Sequence, residues 1–219
     1  MTTTDEPDRA GTFDPGIDRS ITLPQAPSRR TRFRGAMSWG ITIVIALTVT
    51  IVVKTWVLQV YSIPSTSMVP TLEVGDRVVV SKLEREPGRG DIVVFDRPPT
   101  SPAGPDDPEV LIKRVIGLPG EHVSSRGGQV YVDGNRLEES YLPEGTFTRI
   151  GCRETWGNCD RVDPEAEGYE LVVPKGKYLV MGDNRSNSSD GREFGPIDQK
   201  LIVGRGVLRV WPFSRFGGL

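Results

Sequence analysis

Hydrophobic residues are concentrated in one uncharged run near the start of the chain and in short segments after it. The run covers residues 35–53, GAMSWGITIVIALTVTIVV. At about 1.5 Å per residue, a helix of this length extends roughly 28 Å, close to the hydrocarbon thickness of a bilayer. The pattern predicts one transmembrane helix over residues 35–57. The alternatives are a cleavable secretory signal, whose apolar region is usually shorter, and a helix buried in a soluble core.

The charges beside this run predict its orientation. Basic residues lie mainly before it, and one follows it closely: Arg29, Arg30, Arg32, Arg34 and Lys54. Because basic flanks stay in the cytoplasm, we expect a cytoplasmic N-terminus and an extracytoplasmic region over residues 58–219. Residues 1–34 are rich in Pro, Asp, Thr and Arg and poor in large apolar residues, which predicts a disordered cytoplasmic tail.

After the run, short segments of β-branched residues alternate with turn residues, as in strands. Six such segments occur, at residues 77–80, 91–95, 110–116, 129–132, 177–181 and 201–204. Asp133 and Gly134 form the Asp-Gly pair of a tight hairpin turn, and no convincing helix follows the membrane run. The pattern predicts a mainly β fold, an antiparallel sheet or barrel-like domain with an inserted loop or lobe at about residues 143–168.

Charge and cysteine content narrow the classes of partner and ligand. The 27 basic and 29 acidic residues form no long basic run, which argues against a nucleic-acid partner. Six residues separate Cys152 from Cys159, and His122 is the only histidine, so we expect no metal site and no cofactor. The two cysteines form either a loop disulfide in an oxidising compartment or two unpaired thiols.

One serine lies in a setting suited to a nucleophile. Ser67 is flanked by Pro64 and Pro70, which hold the chain extended around it. A serine nucleophile needs a base, and the lone His122 in a turn is typical of solvated surface, which disfavours a Ser-His-Asp arrangement.

Lys113 is the candidate base. It lies within residues 110–116, and the alternation of a strand puts Leu111 and Val115 on the same face. An apolar setting lowers the pKa of a lysine and makes its neutral amine available. The alternative is an edge-strand lysine that blocks aggregation or extends into solvent.

A third segment, residues 182–192, follows a predicted strand and is dense in hydrogen-bonding groups. Taken alone, it is a long polar turn. Its acid and base residues suggest two ion pairs, Asp183 with Arg185 and Asp190 with Arg192, which lock the loop so that Ser188 orients the lysine amine.

Together these segments resemble the type I signal peptidase family. Residues 65–72 are similar to its nucleophile motif, residues 113–120 to its lysine motif, residues 182–192 to its third signature, and residues 214–218 to a typical C-terminal ending. The resemblance covers roughly residues 39–219, and three ordered motifs behind an anchor are a specific signal. Gly191 stands where the family often has serine, while Ser188 is retained.

The resemblance implies a role for each motif. Ser67 attacks, Lys113 is the general base, Ser65 helps the Ser67 amide to form the oxyanion hole, and Ser188 hydrogen-bonds the lysine. Structural support is expected from Asp183, Arg185, Asp190 and Arg192. The implied pockets for small substrate side chains are lined by Tyr61, Ile63, Met68, Leu72, Val78, Leu111 and Ile112.

These roles imply a single-pass membrane serine endopeptidase that removes signal peptides from secretory preproteins with small residues at positions −1 and −3. Two alternatives stay open. A Ser-Lys self-cleaving regulator shares the chemistry but normally carries a DNA-binding region. An anchored β domain could bind partners without catalysis.

Overall fold

A computed structural model describes the backbone of residues 29–52, 57–102, 104, 107–151, 159–163 and 168–219. The chain divides into two compact units, Met1–Ala46 and Leu47–Leu219. The predicted tail up to residue 28 lies outside the described residues, and so do Cys152 and the side chain of Cys159, on which the predicted disulfide depends.

Helix α1 covers Arg29–Val52, so it begins six residues before the predicted span. Its side chains are exposed throughout residues 39–51, including the large apolar residues Trp39, Val44 and Ile51. No helix among the described residues combines the length and apolar character needed to cross a membrane.

The described part of the second unit contains thirteen strands, and all of their pairings are antiparallel. They are β1 (Leu58–Ser62), β2 (Arg77–Ser81), β3 (Ile92–Asp96), β4 (Val110–Gly117), β5 (His122–Arg126), β6 (Gln129–Val132), β7 (Asn135–Arg136), β8 (Cys159–Asp163), β9 (Gly168–Val172), β10 (Lys177–Met181), β11 (Ile197–Asp198), β12 (Ile202–Trp211) and β13 (Gly217–Gly218). One sheet has the order β1-β2-β12-β3-β4-β10-β11 with β13 beside β12, and the other has the order β7-β6-β5-β9-β8.

The mainly β, antiparallel prediction is confirmed, and each of the six predicted strand segments corresponds to a strand. The predicted hairpin also forms: β6 pairs with β7 around Asp133 (φ 49°) and Gly134 (φ 79°), both in the left-handed region that a primed two-residue turn requires. The barrel-like alternative is wrong for the described residues, because each strand order ends at two different strands and the sheets stay open.

The structure adds a strand to the predicted insert and corrects one element prediction. The predicted insert at residues 143–168 contains β8, which pairs with β9 and extends the smaller sheet. A short helix, α2 (Gly191–Phe194), also lies beyond the membrane run, where no convincing helix was expected. Asp190 caps it by accepting a hydrogen bond from the Arg192 amide, and four residues are too few to produce a helical hydrophobic period.

Strand β4 is central to the packing of this unit. Its neighbours are β3 and β10, and its residues belong to three apolar clusters: Ile116 to one, Ile112 to the second and Val115 to the third. A lysine in the middle of such a strand is surrounded by buried apolar groups.

Candidate active site

The segment that carries Ser67 is a closed loop between β1 and β2. Backbone hydrogen bonds from Ile63 N to Asp76 O and from Gly75 N to Ile63 O, both 2.9 Å long, close it. The side chains of Met68 and Leu72 are fully buried and anchor the loop in the core. A hydroxyl on this loop is held in place.

Lys113 meets Ser67 inside the protein. Its Nζ lies 2.8 Å from Ser67 Oγ and also donates to the Ile112 carbonyl at 3.0 Å. Lys113 is 3% exposed and Ser67 is 8% exposed. The predicted nucleophile and base are therefore brought together, although 46 positions separate them in the chain.

The environment of Lys113 favours the neutral amine. Burial lowers its pKa from 10.5 to about 8, although the carboxylates of Asp190 and Asp183 act in the opposite direction. A neutral amine at hydrogen-bonding distance from a hydroxyl can accept its proton. The edge-strand alternative does not apply, because β4 is an interior strand.

Ser65 lies on the same side of the loop. Its Oγ is 3.3 Å from Ser67 Oγ, and its side chain is exposed. A hydroxyl in this position can donate to an oxygen atom that develops charge next to the nucleophile.

Ser188 is close to the site, but the hydrogen bond predicted from it to Lys113 is absent. Its Oγ is buried and has no hydrogen-bond partner in the part of the chain that the structure describes. Gly182 separates it from the nucleophile: an added Cβ at Gly182 would lie 2.5 Å from the Ser67 carbonyl oxygen and closer still to Ser188 Oγ.

The predicted pairing of Asp183 with Arg185 is wrong. Asp183 instead receives two hydrogen bonds from Arg114, at 2.9 and 2.6 Å. Arg185 pairs with Glu139, which lies outside the three motifs. Two charged residues on the same loop do not pair when each has a better-placed partner on another element. A buried guanidinium favours a carboxylate that can accept two hydrogen bonds from it.

The second predicted pair, Asp190 with Arg192, is present with side-chain hydrogen bonds of 2.9 and 2.8 Å. Asp190 also accepts from the Gly182 amide at 2.9 Å. Burial alone would raise the pKa of Asp190, but the hydrogen bonds and charge of Arg192 outweigh it and lower the pKa. Asp190 is thereby kept as a carboxylate.

The predicted pocket residues divide between two clusters. Six of the seven belong to or pack against one cluster beside Ser67, namely Tyr61, Ile63, Met68, Leu72, Val78 and Ile112. Leu111 packs against the neighbouring cluster that contains Phe95 and Phe194. Successive strand residues face opposite sides, so Leu111 and Ile112 cannot line one wall.

Sequence reasoning missed residues that hold the nucleophile loop. The Asn184 amide donates to the Ser67 carbonyl at 3.0 Å, and its side chain donates to Thr66 O at 3.2 Å. From the C-terminal segment, Arg215 reaches the buried Asp76 at 3.1 Å and the Pro70 carbonyl at 3.2 Å. Asn184 and Arg215 both lie within matched motifs, but a sequence does not indicate which backbone groups a side chain will contact.

His122 lies outside this arrangement. Its side chain is exposed, with Nδ1 at 3.5 Å from Glu170. Among the side chains described, no group of three or more His, Cys, Asp or Glu residues is placed to hold a metal ion.

Comparison with known proteins identifies the family of this chain. Residues 36–211 match the family model described as "Signal peptidase, peptidase S26". The match covers most of the chain and defines its class as an S26 peptidase, a hydrolase.

Individual relatives show to which group of S26 peptidases the chain belongs. The chain is 38% identical over 211 residues to signal peptidase I of Leptolyngbya laminosa, covering 94% of this chain and 91% of the relative. It is 38% identical over 183 residues to signal peptidase IB of Staphylococcus aureus, covering 82% and 92% respectively. The chain therefore belongs to the type I signal peptidase family.

A solved structure of a signal peptidase I from Enterococcus faecalis V583 also matches. The identity is 31% and the TM-score is 0.37, and the match covers 54% of this chain and 95% of that chain.

Proposed function

We propose that this protein is a membrane-bound endopeptidase that removes N-terminal signal peptides with a Ser67–Lys113 dyad. The observation that carries the proposal is the 2.8 Å contact between Lys113 Nζ and Ser67 Oγ. Burial lowers the pKa of Lys113 to about 8, so a useful fraction of neutral amine exists near neutral pH.

The chemistry follows from the positions of these atoms. Ser67 Oγ attacks the scissile carbonyl carbon as its proton passes to Lys113 Nζ, and the Ser67 amide and the Ser65 hydroxyl donate to the oxyanion. The protonated Lys113 then gives its proton to the leaving amine. A water molecule, deprotonated by the same amine, hydrolyses the acyl-enzyme.

Ser188 is proposed to orient the lysine during these steps. Its hydroxyl is buried next to Gly182 and has no hydrogen-bond partner among the described residues, and Gly182 also packs closely against the Ser67 carbonyl. An unpaired buried hydroxyl is costly, so a hydrogen bond to the lysine amine would gain both orientation and stability once the serine proton has moved.

Substrate selection is assigned to the apolar cluster beside Ser67. Its members include Ile63, Met68, Leu72 and Ile112, all buried and close-packed. Because these side chains expose little surface, we expect this wall to accept only small substrate side chains, in keeping with small residues at positions −1 and −3 of secretory signals.

Membrane attachment through the N-terminal helix completes the proposal. The support is the uncharged run at residues 35–53, the arginines before it and the exposure of apolar side chains over residues 39–51. A helix that is apolar on all sides needs an apolar environment. The arginine flank assigns the N-terminus to the cytoplasm and residues 58–219 to the other side.

The test is cleavage of a purified preprotein by the full chain in lipid vesicles, with sequencing of the new N-terminus. We expect one cut after a small residue by the wild type and none by Ser67→Ala. Lys113→Arg should be as inactive as Ser67→Ala, since arginine keeps the charge but stays protonated, with a pKa above about 12.

Two results would count against the dyad. A folded, active Lys113→Arg enzyme would show that the lysine supplies charge or structure only. The wild-type kcat/KM should rise with pH around a midpoint near 8, because only the neutral amine can take the serine proton. The absence of this rise would also contradict the dyad. A wild-type protein that cuts nothing would favour a binding domain without catalysis.

A further inference from the structure

The loop that follows β7 brings two side chains, Glu139 and Tyr141, into contact with the candidate active site. This loop lies outside the nucleophile, lysine and third motifs. Both side chains are half-buried, and Tyr141 OH donates to Glu139 Oε1 at 2.6 Å. Each of the two also contacts a buried arginine.

Glu139 contacts Arg185. Its carboxylate accepts from Arg185 Nη1 at 3.2 Å and also from Nη2. Arg185 is 4% exposed, and its Nε donates to the Gly182 carbonyl at 3.0 Å. Glu139 therefore fixes the guanidinium that holds the backbone of Gly182.

Tyr141 contacts Arg114, the residue directly after the proposed base. The Arg114 Cζ lies 3.9 Å from the centre of the Tyr141 ring, which is a cation–π contact. Arg114 in turn donates two hydrogen bonds to the Asp183 carboxylate. The tyrosine therefore covers the arginine that links β4 to residue 183.

The two arginines both hold the segment 182–184, which lies against the nucleophile: Arg185 bonds the Gly182 carbonyl, and Arg114 bonds Asp183. The Asn184 amide donates to the Ser67 carbonyl at 3.0 Å, and Gly182 packs so closely on that carbonyl that no Cβ fits. A shift of this segment would move Ser67 relative to Lys113.

We propose that Glu139 and Tyr141 are positioning residues, which hold Arg185 and Arg114 and thereby keep residues 182–184 pressed against Ser67. The inference rests on the proposed Ser67–Lys113 chemistry. Misplacing reacting groups by a fraction of an ångström lowers the rate of the chemical step more than substrate binding. The loss should therefore appear in kcat rather than in KM.

The experiment measures steady-state kcat and KM for cleavage by the full-length protein in vesicles, with the folded fraction determined at the assay temperature. We expect Glu139→Ala to lower kcat about tenfold or more with KM changed less than about twofold. Glu139→Gln keeps one acceptor oxygen and should recover part of the rate. Glu138→Ala, a change at the exposed neighbouring residue, is the matched control and should behave as the wild type.

A double-mutant cycle tests the route through Arg185. If Glu139 acts through Arg185, Glu139→Ala should add little loss to Arg185→Gln, whereas independent losses would multiply. The proposal is overturned if folded Glu139→Ala protein has the kcat of the wild type. It is also overturned if the losses of Glu139→Ala and Arg185→Gln multiply in the double variant. Should Glu139→Ala fail to fold, unchanged kcat in both Glu139→Gln and Tyr141→Leu, which removes the ring that contacts Arg114, overturns it instead.

The proposed function fails by a different result. If Ser67→Ala cuts as fast as the wild type, the dyad itself is wrong. If Ser67→Ala is inactive while the Glu139 and Tyr141 variants keep the wild-type kcat, only the positioning role is wrong.

Discussion

Lys113 does not behave as an ordinary exposed lysine does. It is 3% exposed, and burial lowers its pKa from 10.5 to about 8. Between about pH 8 and pH 10.5, Lys113 is therefore mostly neutral in the folded protein and mostly protonated in the unfolded chain. A base with these properties reduces the stability of the fold whenever it is protonated.

Replacing Lys113 with methionine should raise stability while abolishing cleavage. Between pH 8 and 10.5 the unfolded state binds more protons than the folded state, so wild-type stability rises with pH over this window. We expect Lys113→Met to be more stable by roughly 1–3 kcal/mol at pH 7, with the difference vanishing near pH 10.5.

Urea unfolding of both proteins from pH 7 to 10.5 measures this difference. Lys175→Met, at an exposed lysine, is the matched control and should give a curve parallel to that of the wild type. A constant difference between Lys113→Met and wild type across the window would contradict the low pKa.

Ser188→Ala should separate activity from stability. The serine hydroxyl is buried and unpaired among the described residues, so its removal should leave the melting temperature unchanged or slightly higher. If it orients the lysine in the reaction, kcat/KM should fall roughly tenfold or more, above about 1.4 kcal/mol. An unchanged rate in steady-state assays would remove Ser188 from the site.

At the scale of elements, β12 joins the two halves of the larger sheet. It pairs with β2 on one side and β3 on the other, and the register shifts along both pairings. Gly204 lies at one of these shifts, where the backbone of Ser81 comes too close for any side chain. The glycine therefore permits the close approach of β12 to β2.

Gly204→Ala should destabilise the sheet. An added Cβ would overlap the Ser81 carbonyl, which is backbone and cannot rotate away. We expect a loss of about 1–3 kcal/mol and a melting temperature several degrees lower. Gly218→Ala, in β13 with no atom within 4 Å of the added Cβ, is the control and should melt as the wild type does.

At the scale of the whole molecule, the three apolar clusters all belong to the unit Leu47–Leu219. That unit contains Ser67, Lys113 and the groups that hold them. The described members of all three clusters lie within residues 61–219, so this region should fold when residues 1–56 are removed.

Deleting residues 1–56 should therefore leave a folded β unit that no longer behaves as an integral membrane protein. We expect the full chain to stay in the membrane pellet after alkaline carbonate extraction, and the shortened protein to be released. Deleting residues 1–28 alone keeps the uncharged run and should not release the protein. Retention of the 1–56 deletion in the pellet would contradict anchoring by the helix.

The sequence by itself determined the local features of this protein. Period-2 apolar segments predict strands, and the Asp133-Gly134 pair predicts a hairpin, because neighbouring residues impose these conformations through side-chain alternation and permitted φ angles. The motifs around Ser67 and Lys113 also indicate the chemistry, since residue types limit what a site can do.

Only the tertiary structure decided which distant groups meet. Sheet order places Lys113 2.8 Å from Ser67, Arg114 on Asp183 and Arg185 on Glu139, whereas proximity in sequence suggested Asp183 with Arg185. The open sheets, and the Ser188 hydroxyl that has no partner among the described residues, likewise depend on how whole strands pack. These contacts join positions 46 or 69 residues apart, so side-chain partners are set by the packing of several elements at once.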